Sequence, residues 1–141
     1  MMERYELLLA PLVGWFVAQG LKFILHSRKD GVQWADFWVS GGFPSSHTAF
    51  VISFTALYGL KYGFDQPLFA AMAVVSALFM YDAMGVRRSS GENALAIKEL
   101  ADKTGKRLVT TLHGAQGHTP LEVFGGFAVG CAVALALYVL A

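Results

Sequence analysis

The chain has 141 residues, of which 55% are hydrophobic and 15% charged, and its mean hydropathy is +0.50. A soluble domain this small has too little interior to hide so much apolar surface, so a single membrane-embedded domain over residues 1–141 is expected. A net charge of +1 gives no basis for a nucleic-acid partner, and the single cysteine, Cys131, rules out a disulfide within the chain.

Four apolar segments are predicted. The first covers about residues 5–25, with Pro11 early and Gln19 and Lys22 toward its end. Glu3 and Glu6 outweigh Arg4 over residues 1–6, and no small-residue cleavage site follows the apolar run, so it reads as a retained span rather than a secretory signal. Residues 26–43 mix Arg28, Lys29, Asp30 and Asp36 with Trp34, Phe37 and Trp38, which suits an interfacial segment with its rings at headgroup depth. The second segment covers about residues 46–62. That is short for spanning, which takes ~20 residues; it is expected to begin before Ser46 or to start where other helices shield it. The third covers about residues 67–85, opened by Pro67 after a turn containing Gly63 and Asp65. Beyond it, Ser89-Ser90-Gly91-Glu92 reads as a capping box and residues 93–103 as a short helix, with Leu95, Ala96, Leu100 and Ala101 on one face and Gly105 as its stop. The fourth covers about residues 120–141. It holds Gly126-x-x-x-Gly130, a helix-packing pattern, and Cys131 as a small packing residue. The expected fold is all-α: an integral membrane bundle of about four transmembrane helices plus a short interfacial helix.

Four spans place the first and third loops on one side. Lys22, Arg28, Lys29, Arg87, Arg88, Lys98, Lys103, Lys106 and Arg107 fall there, against Arg4 and Lys61 on the other. The basic excess predicts that this side is cytoplasmic.

The same side collects the chemistry. Gly117-His118-Thr119-Pro120-Leu121-Glu122 opens the fourth segment and sets a histidine and a carboxylate on one helix face. A carboxylate bonded to one imidazole nitrogen leaves the other free and more basic, as a nucleophile needs. Thr119 and Glu122, with Pro120 between them, also form a capping box, a helix start that requires no chemistry. Lys22 ends the first segment, Pro44-Ser45-Ser46-His47 opens the second, and Asp82, Arg87 and Arg88 end the third. Charges at membrane depth are costly and need a partner or a purpose. Phosphate handling fits all of them. Gly41-Gly42 allows close backbone approach, Ser45 and Ser46 start a helix whose N–H groups favour an anion, and Lys22 with Arg87 or Arg88 would neutralise phosphate oxygens. His47 and His118 allow one general acid and one nucleophile. Plainer uses exist too: Lys22 as a snorkelling residue, Ser45 as an N-cap, Asp82 as an ion-pair partner, Gln19 as an interhelical hydrogen-bonder, and His26 and His113 as solvated side chains.

Three stretches, Gly41-Gly42-Phe43-Pro44-Ser45-Ser46-His47, the run from Tyr81 to Glu92, and the run from Gly117 to Gly126, together resemble the type 2 phosphatidic acid phosphatase superfamily, which also contains vanadium haloperoxidases. The similarity is closest to its small divergent bacterial and plastid branch. The resemblance implies that His118 attacks phosphorus to give a phosphohistidine, that Glu122 orients it, and that His47 protonates the leaving alcohol. It implies Lys22 as a phosphate ligand, contacts from Ser45 and Ser46, and no metal or other cofactor. Three positions depart from the pattern. Ser46 replaces the usual glycine, Glu122 replaces aspartate, and Leu112 stands where an arginine six residues before the histidine is usual. Residues 86–88 are expected to be the displaced arginine arm, with residues 89–117 inserted after it. The usual six spans are also cut to four, which a homodimer would make up. The implied activity is hydrolysis of a phosphomonoester on a membrane lipid (phosphatidate, phosphatidylglycerol phosphate or polyprenyl phosphate) in a bacterial plasma membrane. The alternative is a non-catalytic binder or transporter of phosphorylated lipids.

Overall fold

The computed structural model describes residues 2–30, 42–105 and 117–140, with side chains in the first stretch from residue 5 to residue 27. The elements are α1 (Met2–Asp30), α2 (Ser46–Tyr62), α3 (Pro67–Met84), α4 (Val86–Thr104) and α5 (Pro120–Leu140). Among the described residues, three helical stretches are long and apolar enough to cross a membrane: Tyr5–Ser27, Pro67–Thr104 and Pro120–Leu140. Their outward residues are large and apolar, among them Leu8, Val74, Leu78, Phe124 and Val139, all more than half exposed. In water such a surface would aggregate; in lipid it is solvated. The chain is an integral membrane helical bundle.

Cross-contacts fix the directions. The Glu6 carboxylate pairs with the Lys61 ammonium, joining the start of α1 to the end of α2. The Ser45 amide donates to the Glu122 carbonyl oxygen at 2.9 Å, joining the starts of α2 and α5. Thus α2 and α5 run parallel, and α1 runs against both.

Stripes of small residues make this packing close. On α2, Ser45, Ala49, Ser53 and Leu57 are fully buried. Against them α1 sets Ala10, Gly14 and Ala18, and α5 sets Gly126, Gly130 and Ala134, each at fourth-residue spacing. A Cβ on Gly126 would stand 2.2 Å from the Ser45 carbonyl oxygen, and one on Gly14 2.6 Å from Ser53 Oγ. Only glycine admits such backbone proximity, the means by which membrane helices associate. Ser53 Oγ donates to the Ala10 carbonyl at 2.9 Å across the same contact.

α2 is the shortest expected span. At 17 residues it packs against α5, α1 and α3 and begins at a fully buried Ser45, so neighbours shield its start. α3 and α4 form one long helix broken at Gly85. The expected capping box at Ser89–Glu92 does not start α4. The helix already begins at Val86, and Glu92 instead pairs with Arg88 one turn back, 3.0 Å from its Nε. Gly105 does end it, in the left-handed region at φ 64°. α4 contains the short helix expected at residues 93–103, extends it back to Val86, and leaves Leu95, Ile97 and Leu100 exposed. The aromatic segment with Asp36, Trp34, Phe37 and Trp38 lies outside the described residues, as do Gly41, Lys106, Arg107, Leu112 and His113 and the side chains of Arg4, Arg28, Lys29 and Asp30.

Candidate active site

The packing stripes carry the candidate site residues. Continuing the α1 stripe from Ala18 by one more step gives Lys22, and running the α5 stripe back from Gly126 gives Glu122 and then His118. The periodicity that brings the helices together therefore aims these side chains at one point. Lys22 and His118 are each only 4% exposed. Gly42, at φ +83°, turns the backbone beside the Lys22 methylenes, with its Cβ position 3.8 Å from Lys22 Cδ.

Glu122 does two tasks with one oxygen. Its Oε2 lies 3.2 Å from His118 Nδ1 and accepts the Thr119 amide at 2.9 Å. Thr119 Oγ1 in turn accepts the Glu122 amide at 3.3 Å. The capping box and the histidine–carboxylate pair are one arrangement, and the longer glutamate arm serves both. With Nδ1 facing the carboxylate, Nε2 of His118 is the nitrogen left available.

His47 is exposed on the first turn of α2, and its ring centroid is 6.3 Å from that of His118. Ser45 caps this helix: its Oγ accepts from the Thr48 amide at 3.4 Å and from the Thr48 hydroxyl at 3.1 Å. Ser46 is buried beside it. As the next two residues, Ser46 and His47 carry amides that an α-helix leaves without internal partners.

The arginine arm reaches the same end. The His118 amide donates to the Ala83 carbonyl at 2.9 Å, and a Cβ on Gly117 would stand 2.1 Å from the Arg88 nitrogen. Arg87 Nε bonds Asp82 Oδ2 at 2.9 Å. Arg87, with Lys22, acts electrostatically on both His47 and His118; Arg88 faces outward to Glu92. Burial pushes the His118 imidazole below the ordinary histidine value. The Glu122 hydrogen bond and charge oppose that, and Lys22 and Arg87 add to it.

Sequence reasoning missed the Ala83 carbonyl. A main-chain oxygen has no residue signature; its only trace is Gly85, which breaks the helix before Arg87 can take that oxygen. The predicted residues Lys22, Ser45, Ser46, His47, Asp82, Arg87, His118 and Glu122 gather at this end, and Arg88 meets it at Gly117 through its backbone and Cβ while its guanidinium turns to Glu92.

The sequence pattern of the divergent PAP2 family matches residues 4–133. The chain belongs to the divergent PAP2 family. That match spans every element up to the last turns of α5. A relative in Bacillus subtilis strain 168, the uncharacterized membrane protein YuiD, is 33% identical over 148 residues and covers 92% of each chain. No solved structure matches. Divergent PAP2 membership makes this a phosphatase-related membrane protein.

Proposed function

We propose that this divergent PAP2 protein hydrolyses the phosphomonoester of a membrane lipid, in the phosphatidate, phosphatidylglycerol phosphate or polyprenyl phosphate class, through a phosphohistidine. The observation that carries the reading is the His118–Glu122 pair, its histidine buried, with the ring centroid of His47 6.3 Å from that of His118.

His118 Nε2 attacks phosphorus, and the bond to the lipid oxygen breaks. Protonated His47 gives its proton to that oxygen, releasing the lipid alcohol. Neutral His47 then takes a proton from water as the water oxygen attacks phosphorus. The N–P bond breaks, and inorganic phosphate leaves. Glu122 holds the His118 ring and stabilises the charge it gains. Lys22, Arg87 and the Ser46 and His47 amides offset the phosphoryl charge. The basic side is the cytoplasmic one in this reading.

The test uses purified protein in lipid nanodiscs with EDTA present. Phosphate release from phosphatidate is expected, with an acid-labile, base-stable phosphoenzyme that His118→Ala abolishes. His47→Ala is expected to slow release by about 10²–10⁴-fold, the usual worth of a general acid. Full activity in both variants, each still folded, would overturn the assignment. One observation favours a binding role: Arg87 is already paired with Asp82. That role predicts lipid phosphate binding across pH 5 to 8 with no phosphate released.

A further inference from the structure

Two apolar cavities lie along α3 and α5, and one of them also reaches α2. The upper one, about 300 Å³, is lined by Met84, Pro120, Val123 and Phe124, and the lower one, about 270 Å³, by residues including Ala73 and Cys131; Met80 and Phe127 line both. The residues lining the upper cavity are chain neighbours of the site: Pro120 and Val123 flank the Glu122 turn, and Met84 follows the residue whose carbonyl holds His118. The lower cavity ends at Phe64 and Phe69, whose rings meet edge to face at 5.1 Å. The hydroxyls of its Thr55 and Ser76 bond each other at 2.9 Å, so no unmet polar group of theirs faces the space.

We propose that the two cavities form a track for one hydrocarbon chain of the lipid phosphate, and that Met80 and Phe127 gauge its length. This rests on the phosphatase reading for the headgroup's position. The occupant follows from the two ends: one is lined by Val123, next to Glu122, and by Met84, next to the Ala83 whose carbonyl holds His118, and the other by the rings of Phe64 and Phe69. Along α3 the track runs from Phe69 to Met84, about 22 Å at ~1.5 Å per residue, more than one leaflet's share of a ~30 Å hydrocarbon core. A thioether and an aromatic ring where the two cavities meet, about 6 Å along α3 from Met84 at ~1.5 Å per residue, make a soft partition, because methionine repacks readily. Chains that stop above it fill the upper cavity; longer chains must displace Met80.

The test is photo-crosslinking with hexadecylphosphonate, whose C–P bond resists hydrolysis, carrying a diazirine at the end of its chain. In nanodiscs, adducts are expected on Ala73 and Cys131, and in Met80→Trp they are expected to move up to Phe124 and Met84. Excess hexadecylphosphonate is expected to suppress them, and butylphosphonate to suppress them less. Adducts spread over the outward-facing Val74 and Leu78, a pattern unchanged by Met80→Trp, or groove residues shielded by a second copy of the chain would overturn the proposal. Phosphate release from the short ester butyl phosphate reports the histidine site alone. A failed track and a failed phosphatase reading are thereby told apart.

Discussion

At the scale of single residues, Arg87 and Arg88 are neighbours with different surroundings. Arg87→Ala is expected to lower kcat/KM by about 10²–10³-fold, as loss of one preorganised donor does. Arg88→Ala is expected to stay close to wild type, because its exposed pair with Glu92 contributes at most ~1 kcal/mol. Phosphate release assays on the two variants check both. The pH profile follows from His118. Its pKa is depressed, so its neutral form, the nucleophile of the proposed reaction, persists to a pH below the ordinary ~6.5, and the acid limb attributable to it should lie there. Glu122→Gln removes the charge that opposes the depression, so that limb should move lower still while kcat falls. The sign for stability is the same: the unfolded chain binds this proton more readily, so stability is lost as pH drops through ~6.5. The His118–Glu122 pair is legible from spacing alone because fourth-residue neighbours share a helix face. The choice between Arg87 and Arg88 is not, because it depends on how the chain turns at Gly85.

At the scale of helices, the glycines divide by what stands opposite them. Gly130→Leu would drive a side chain into Ile52, whose Cβ is 2.8 Å from the Cβ position, and Gly126→Leu into the Ser45 backbone. Each is expected to cost at least the ~1–3 kcal/mol of an overpacked contact, read as a lower melting temperature in detergent. Gly20 faces open space, so Gly20→Ala should leave melting unchanged or raise it. The Gly126/Gly130 pattern is readable as a packing signal, yet its partner helix is not, because a small-residue stripe carries no address. The matching stripe on α1, Ala10, Gly14 and Ala18, becomes visible only once α2 lies between the two. The brevity of α2 has the same origin: a helix with protein on three sides need not match the bilayer by itself. The start of α4 escaped sequence reading because Ser89, Ser90 and Glu92 imitate a cap inside a continuing helix.

At the scale of the molecule, the two parallel helices α2 and α5 bring both their N-terminal ends to one surface, where Lys22 also ends. Two positive dipole ends and a buried ammonium give that surface an anion-attracting field. The opposite end holds the Glu6–Lys61 pair, whose charges cancel. If the basic side is cytoplasmic, a cysteine placed at exposed Lys98 in a Cys131→Ser background should react with an impermeant maleimide in inverted vesicles and not in intact cells. The reverse labelling would turn the molecule over. The hydrogen bond from His118 to Ala83, with Gly117 lying on Arg88, closes a neck across a long stretch of sequence. Because the neck is tied by main-chain atoms, substitutions elsewhere leave its knot intact. Closing a longer excursion adds only about 0.6 kcal/mol per doubling of length. A change in the length of the sequence between Arg88 and Gly117 is therefore expected to leave the imidazole where it is.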